Sequence, residues 1–220
     1  MNITRINSRL QSLWNATGGS PNCGWMVDEV AVFLYGLIKF HRPELVVQTG
    51  HLWGKSAVFV LEALTDGFLD IDRFEPISRE GDPGFRDFVE DHVPRRKLPA
   101  IMISVDPDPL GVGDWDSGVK LLNQWYDGFF VFQHMRSDQF LPTFKPVTKN
   151  VLAIVDGDHT RQGCTKDLEA CAELQANCIV VDDTEWLPEL KDVSRTFASQ
   201  RGYESISFTP YNGVTLLVKG

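Results

Sequence analysis

The sequence lacks any long hydrophobic run. The longest, residues 30 to 38, has nine residues, whereas a membrane-spanning helix needs about 20. The first residues, MNITRINSRLQSLW, also lack the basic-then-apolar pattern of a signal peptide. We therefore expect a protein that does not insert into a membrane and that acts in the cytoplasm.

Cysteine is scarce, and no two cysteines are spaced as a C-x-x-C pair. The four cysteines lie within otherwise apolar stretches, which predicts buried free thiols in a reducing compartment. The spacing argues against a structural zinc site. The four are Cys23, Cys164, Cys171 and Cys178.

Positive charge is also in short supply. Lys and Arg number 21 against 30 Asp and Glu, for a net charge of −9. This balance argues against a general nucleic-acid binder, which needs a basic face. An acidic protein of 220 residues with 43% hydrophobic residues fits one soluble domain that handles small molecules together with a cation.

Residues 151 to 160, VLAIVDGDHT, are the most informative stretch. Five apolar residues predict a strand buried on both faces, and the polar run Asp156, Gly157, Asp158 and His159 follows it. Side chains at the carboxyl end of such a strand face the ligand crevice of open α/β sheets. The alternative for this stretch is an Asp-Gly turn followed by a helix N-cap, and N-capping is the role that we expect for Asp158 itself.

Apolar runs and helical patterns alternate along the chain. Strands are predicted at residues 44–50, 100–105, 129–133, 151–155, 178–181, 203–208 and 213–218, and helices at 25–40, 55–64, 116–126, 160–174 and 190–200. This order predicts a doubly wound, Rossmann-like α/β fold. Its seven-stranded sheet is mostly parallel with an antiparallel edge strand, and helices cover both faces.

Two segments fit this alternation poorly. Residues 1–24 carry only a weak helical pattern and are predicted to form an arm or lid in front of a domain spanning 25–220. Residues 65–99, rich in Pro and Gly, look like an insertion. Their basic cluster at 95–97 is typical of a solvated face. Such an insertion, with exposed aromatic residues, is compatible with a homodimer.

Candidate site residues collect at the predicted strand ends. Gly50 and Gly54 bound a tight turn between a strand and a helix, a weak signal that a plain βα turn would also produce. Asp106 ends the next strand, where nucleotide sites bind ribose hydroxyls. One crevice would gather Gln48, Asp106, Ser137, Asp156, Asp182 and Asp183.

At these positions the sequence resembles the class I S-adenosylmethionine-dependent methyltransferases. Within them it is most similar to the metal-dependent small-molecule O-methyltransferases of the catechol and macrocin types. Three stretches carry the resemblance: GWMVDEVAVFLYGLIKFHRPELVVQTGHLWGKSA, VLAIVDGDHTRQGCTKDLEA and CIVVDDTE. It spans residues 24–220.

The resemblance implies a binding site for S-adenosylmethionine. The glycine motif and the ends of the following strands would surround the cofactor from its methionine end to its adenine. By position, Gln48, Thr49, Gly50, Gly54 and Ser56 would border the methionine end, Asp106 the ribose, Ser137 and Asp138 the adenine, and Asp156 the reacting centre.

The resemblance also implies a cation and a base. Asp156, Asp182 and Asp183 would hold a divalent cation, most often Mg²⁺, and His159 would help to deprotonate a small hydroxylated substrate. A hard cation with oxygen ligands lowers the pKa of a bound hydroxyl, and an imidazole titrates near neutral pH. Two alternatives stay open: Asp182 and Asp183 as a capped turn, and His159 as a donor to a backbone carbonyl.

The chain departs from the family pattern at several places. Gln48 stands where the glycine motif usually has an acid, and Met135 where a small residue is usual; His51 and Trp53 are bulky for the turn. Three hypotheses therefore follow: a metal-assisted O-methyltransferase, a cation-dependent hydrolase or hydroxylase-like enzyme using the same crevice, or a non-catalytic binding protein on a degenerate methyltransferase fold.

Overall fold

The protein is described here by a computed structural model over residues 1–18, 26–65, 100–107, 115–146, 148–209 and 211–220. Most of the predicted insertion, with its basic cluster at 95–97, lies outside these residues. So do residues 19–24 of the predicted arm.

Seven strands form one sheet within the described residues. The order is β3-β2-β1-β4-β5-β7-β6. Neighbours from β3 to β5 pair in parallel, and β7 runs antiparallel to both β5 and β6. The prediction of a mostly parallel sheet that closes with an antiparallel pair is confirmed. The strands are β1 (Leu45–Thr49), β2 (Ile101–Val105), β3 (Phe130–Gln133), β4 (Val151–Val155), β5 (Cys178–Val181), β6 (Tyr203–Phe208) and β7 (Val214–Lys219).

Helices cover both faces of the sheet, as predicted. One hydrophobic core packs beneath α1 to α4, and a second packs beneath α6 and α7 on the opposite face. Both cores are built by the alternating inward residues of the central strands, which are buried along their full length. The helices are α1 (Ile3–Thr17), α2 (Asp28–His41), α3 (Lys55–Thr65), α4 (Trp115–Trp125), the short α5 (Ser137–Phe140), α6 (Arg161–Glu173) and α7 (Pro188–Arg201), with a 3-10 turn at Leu141–Thr143.

The start of α6 differs from the prediction. The helix begins at Arg161, and the Thr160 side chain caps it by accepting a hydrogen bond from the Gly163 amide at 3.0 Å. Asp158 was expected to be the N-cap. Instead its carboxylate accepts from the Thr160 amide at 3.0 Å, which fixes the turn before the cap.

The predicted N-terminal arm is, over residues 1–18, a packed helix. Helix α1 lies against α3 and α4 and buries Ile6, Leu10 and Leu13 in the first core. Arg5 and Arg9 of α1 both pair with Glu62, a fully buried acid of α3. This ion pairing holds α1 on the domain because a buried carboxylate needs compensating charge.

The parallel register aligns the carboxyl ends of four strands. Thr49 of β1 lies opposite Val105 of β2 and Val155 of β4, and Val155 lies opposite Val181 of β5. The residues that follow these ends therefore share one edge of the sheet, as expected for a ligand crevice.

Two smaller expectations concern thiols and membranes. Cys164, Cys171 and Cys178 are buried free thiols, as predicted, while Cys23 falls outside the described residues. Among the described helices, none combines the length and apolar character needed to cross a membrane.

Candidate active site

A cavity of about 450 Å³ opens at this edge of the sheet, within the usual size range of small-molecule sites. Several predicted site residues line it: Thr49, Gly50, Ser56, Asp106, Ser137, Asp156 and His159. The other predicted residues are not part of its lining: Gln48, Gly54, Asp138, Asp182 and Asp183.

One side of the cavity holds a cluster of candidate cation ligands. Asp156 follows β4, Asp183 follows β5, and His159 lies in the loop before α6. One ligand atom from each lies within 4.8 Å of the others. The His159 Nε2 atom is 3.3 Å from the Asp183 Oδ2 atom and 3.6 Å from the Asp156 Oδ1 atom.

Within the part of the chain that the structure describes, His159 is the basic group that pairs with the carboxylates of this cluster. Burial and the neighbouring Asp183 raise the pKa of Asp156, and burial likewise raises the pKa of Asp183. The Asp156 carboxylate raises the pKa of His159 against the effect of burial. Carboxylates collected in this way favour a proton or a cation between them. Oxygen donors of this kind suit Mg²⁺, and the adjacent imidazole also suits other divalent metals.

Asp182 lies next to the cluster but does not join it. Its side chain is buried, and its Oδ1 accepts a hydrogen bond from the Asp183 amide at 2.9 Å. Burial and the charges of Asp156 and Asp183 raise its pKa well above the usual value. Asp183 itself has a left-handed backbone (φ 58°), and Asn212 donates to its Oδ1 at 2.8 Å. That Asp182 is a third cation ligand stays a prediction.

Gly50 brings the β1 turn against the β4 end. With φ at 80°, its position admits no side chain, since a Cβ there would lie 2.0 Å from the Asp156 carbonyl oxygen. The close approach of these two backbones joins the glycine turn to the cation cluster. Gly54, by contrast, packs between Leu122 and the His51 ring, away from the cavity lining.

The glycine turn is held from within by Asp106. The Asp106 Oδ2 atom accepts hydrogen bonds from the His51 amide at 2.7 Å and from the Leu52 amide at 3.2 Å. The His51 ring contacts the Phe130 and Phe132 rings, and its Nδ1 pairs with the Ser104 hydroxyl at 2.9 Å. Burial lowers the pKa of His51 to about 3, so the ring is neutral.

Gln48 makes a local contact in place of the acid that the glycine motif usually has. It is buried, and its Nε2 donates to the Ser56 hydroxyl at 2.8 Å in the first turn of α3. Ser56 and Lys55 line the cavity, and Lys55 also pairs with Asp28 at 2.7 Å. The unpaired amides of a helix N-terminus favour an anionic group such as a ligand carboxylate.

The two residues predicted to lie by the adenine have different surroundings. Ser137 lines the cavity and donates to the Asp167 Oδ1 atom at 2.5 Å. Asp138 is instead held by two hydrogen bonds from Arg136, at 2.9 and 2.8 Å. Asp167 is a cavity residue that the sequence reasoning missed, although a signal existed: a charged residue in the apolar stripe of α6 beside Cys164 and Leu168.

Aromatic residues complete the lining. Trp14 of α1, Trp53 of the glycine turn and Trp186 after β5 all face the cavity. The Trp186 ring meets the His159 ring edge-on, with centroids 6.1 Å apart. Trp186 therefore lies next to the cation cluster. Sequence patterns did not indicate this shared lining because the three tryptophans are far apart in the chain.

Comparison by sequence finds no matching family model and no matching curated protein. Comparison by structure finds methyltransferases. The chain is similar to the O-methyltransferase TomG of Streptomyces achromogenes, involved in tomaymycin synthesis and solved with S-adenosylmethionine. The TM-score is 0.65 at 14% identity, over 98% of this chain and 89% of that one.

Two further structures show the same similarity. The O-methyltransferase of Bacillus cereus, in complex with S-adenosylhomocysteine, aligns with a TM-score of 0.63 at 10% identity, covering 98% of this chain and 91% of that one. The S-adenosylhomocysteine-bound methyltransferase PaMTH1 of Podospora anserina aligns with a TM-score of 0.64 at 12% identity, covering 98% and 87%. At these identities the similarity establishes that the chain has the class I methyltransferase fold.

Proposed function

We propose that this protein transfers the methyl group of S-adenosylmethionine to a hydroxyl of a small molecule, assisted by a divalent cation. The observation that carries the proposal is the meeting of Asp156, His159 and Asp183 at the edge of a cavity that also reaches the glycine turn. The fold shared with methyltransferases solved with S-adenosylmethionine or S-adenosylhomocysteine supports the choice of cofactor.

The cofactor would lie along the ends of β1, β2 and β4. The α3 N-terminus with Ser56 suits its carboxylate, and Asp106 suits the ribose. The Gly50 turn lets it approach the backbone closely, next to Asp156. S-adenosylmethionine supplies a methyl group on a positively charged sulfur, so its transfer depends mainly on holding an oxygen nucleophile in line.

Asp156 and Asp183 would hold the cation, and Asp182 would position Asp183 through its backbone amide. A bound divalent cation lowers the pKa of a coordinated hydroxyl and orients its oxygen. His159, with Nε2 facing both carboxylates, would accept the hydroxyl proton at that atom. The three tryptophans of the cavity lining, Trp14, Trp53 and Trp186, would exclude water from the site and contact the rest of the substrate.

The test is a methyl-transfer assay with isotope-labelled S-adenosylmethionine. Phenols, catechols, sugars and polyketides serve as acceptors, with Mg²⁺ or with EDTA present. The proposal expects label in at least one hydroxylated acceptor and loss of transfer in EDTA. Transfer that resists EDTA would remove the cation from the mechanism.

A second candidate is a cation-dependent enzyme that does not use this cofactor. The hydrogen bonds of Asp106 favour it. Because the Asp106 Oδ2 atom already accepts the amides of His51 and Leu52, this oxygen is engaged where the cofactor's ribose would otherwise bind. Retained Mg²⁺ binding without any binding of S-adenosylhomocysteine at millimolar concentration would support it.

A further inference from the structure

One side of α2 faces away from the domain and is apolar along its middle. Val32, Gly36 and Phe40, spaced four residues apart, are exposed and lie on this side of the helix. The opposite side, with Leu34 and Ile38, enters the first core. Val32 is 42% exposed and Phe40 is 88% exposed. A single exposed apolar residue is ordinary, but a contiguous apolar patch marks an interaction surface.

The apolar surface continues from α2 onto the edge of the sheet. The Phe33 ring of α2 contacts the Phe208 ring of β6, with centroids 5.2 Å apart. Ile206 and Phe208 alternate along β6, so both lie on this face of the sheet, and they are 50% and 36% exposed. Strand β6 is at the edge, where no further strand of the described chain pairs with it. One surface, the α2–β6 patch, is formed by Val32, Phe33, Phe40, Ile206 and Phe208.

The charges along the exposed side of α2 indicate what the patch binds. Glu29 is exposed in the first turn, and its carboxylate, which also accepts a hydrogen bond from Tyr211, keeps its charge. Lys39 and Arg42 are exposed at the other end, and the exposed positions between the two ends carry no charge. A second α2 that runs antiparallel brings each Glu29 near the Lys39 and Arg42 of the other copy. Parallel packing would instead place like charges together.

The apolar side chains are complementary in the same antiparallel arrangement. In a pair related by a two-fold axis, the contacts are reciprocal. With the axis near Gly36, Phe40 lies about 6 Å beyond the axis on one copy and Phe33 lies about 5 Å before it, at the rise of an α-helix. The Phe40 ring of each copy therefore comes level with Phe33 and Phe208 of the other copy.

We propose that the α2–β6 patch binds a second copy of this chain, in a two-fold dimer whose α2 helices pack antiparallel. The occupant is a second copy because both the charges and the apolar groups of the patch complement the same patch in the reverse direction. Burial of Val32 and Phe40 drives the association, and the charges at the helix ends fix its direction. The dimer does not depend on methyl transfer, so its test is separate from that of the proposed function.

Sedimentation equilibrium of the full-length protein measures the association. The wild type should have twice the 24.8 kDa mass of one chain at micromolar concentration. Phe40→Glu should raise the Kd of the dimer at least about 100-fold, since it would bury unpaired carboxylates against aromatic rings. Its circular dichroism spectrum should match that of the wild type because Phe40 belongs to neither core. Met135→Glu, at an exposed residue beside the opposite edge of the sheet, is the control and should leave the Kd unchanged.

A thiol introduced at the proposed axis tests the arrangement. Gly36→Cys is made together with Cys23→Ser, since nothing in the described part of the chain lies within 4 Å of a Cβ at position 36 and the other three cysteines are buried. Mild oxidation should join two chains of this variant, because facing positions at the axis lie within the reach of a disulfide. The same change at the exposed Asp192 of α7 should give no covalent dimer.

Three results would overturn the proposal. The first is a wild type that stays monomeric at its highest soluble concentration, whether another part of the chain or a different protein covers the patch. The second is a dimer that Phe40→Glu leaves intact, and the third is a dimer that Gly36→Cys does not crosslink.

Discussion

The two halves of the cavity treat their polar groups in opposite ways. Around the glycine turn, many of them pair with one another: Asp106 accepts two turn amides, and Gln48 donates to Ser56. Among the described residues, the Gln48 Oε1 and His51 Nε2 atoms are buried without a hydrogen-bond partner. At the ends of β4 and β5, Asp156 and Asp183 converge with a single histidine between them. The first half is preorganised without a ligand, whereas the second gathers like charges that a cation would neutralise.

The difference suggests separate roles for the two halves. Polar groups that hydrogen-bond to one another hold their part of the cavity in a defined shape, and the binding of a large cofactor needs such a shape. Groups that repel one another are held together only by the fold, and such groups mark sites where charge is supplied from outside. Changes to the cation cluster, and to the contact between the two halves, test this difference.

The largest effect is expected from removing the cation cluster. The double substitution of Asp156→Asn and Asp183→Asn should lower methyl transfer about 1000-fold, since both proposed cation ligands lose their charge. The metal-free variant should have a Tm equal to or above that of the wild type because the repulsion is relieved. The methyl-transfer assay and thermal unfolding measure the two effects. Asp192→Asn, at an exposed residue, serves as the control. A double variant that still transfers methyl at the wild-type rate would show that the cluster has no role in methyl transfer.

Gly50→Ala should disrupt the close backbone contact between the glycine turn and the end of β4. The new Cβ would meet the Asp156 carbonyl oxygen at 2.0 Å, in a backbone conformation with positive φ. We expect a loss of about 3 kcal/mol or more in the free energy of unfolding, measured by urea denaturation. The matched change Gly36→Ala, in α2 with nothing within 4 Å of the new methyl, should be neutral or stabilising. Equal stability of the two variants would contradict the close approach.

The substitution His159→Gln distinguishes between two roles of His159, as a general base and as a cation ligand. If His159 acts as the base, kcat should fall about 100-fold while the Kd for Mg²⁺ stays within about threefold of the wild type. His134→Gln, at an exposed histidine outside the cavity lining, is the control. A weakened Mg²⁺ affinity with the same loss of rate would assign the imidazole to the cation instead.

The smallest effect concerns pH. Asp156, Asp182 and Asp183 have pKa values raised from an ordinary value of 3.8, so the folded protein binds more protons than the unfolded chain. These acids should therefore stabilise the metal-free protein increasingly as pH falls towards their ordinary pKa, whereas His51, whose pKa burial lowers to about 3, acts in the opposite direction below its ordinary value of 6.5. The contribution of the acids is measured as the difference in stability between the wild type and the Asp156→Asn, Asp183→Asn variant, and this difference should increase as pH falls. Saturating Mg²⁺ should flatten this slope. Thermal unfolding of both proteins across the pH range measures this difference, and a difference that decreases as pH falls would show that these acids are compensated.

Much of the fold was predictable because its central strands are buried on both faces. An unbroken apolar run such as residues 151–155 has one straightforward interpretation, and it places Asp156 at the strand's carboxyl end. The same argument, an apolar run followed by acids, placed Asp106 after β2 and Asp183 after β5. Parallel pairing then brings such ends together whatever the detail of the loops.

Other parts depended on packing that a single sequence does not encode. Asp167 approaches Ser137 only because α5 packs on α6, thirty residues further along the chain. Whether Asp182 or Asp183 faces His159 is set by the left-handed backbone at Asp183. Helix α1 had a weak pattern because it is anchored partly by the ion pairs of Arg5 and Arg9 with a buried acid of α3, which periodicity does not reveal.

The most direct measurement is a calorimetric titration of the protein with S-adenosylhomocysteine, with and without Mg²⁺, followed by Mg²⁺ alone. We predict that the compound binds in both conditions, since its half of the cavity is preorganised, and that Mg²⁺ binds to wild type but not to the Asp156→Asn, Asp183→Asn variant. Absence of S-adenosylhomocysteine binding up to millimolar concentration would contradict the proposed cofactor site. Equal Mg²⁺ binding by both proteins would contradict the proposed cation site.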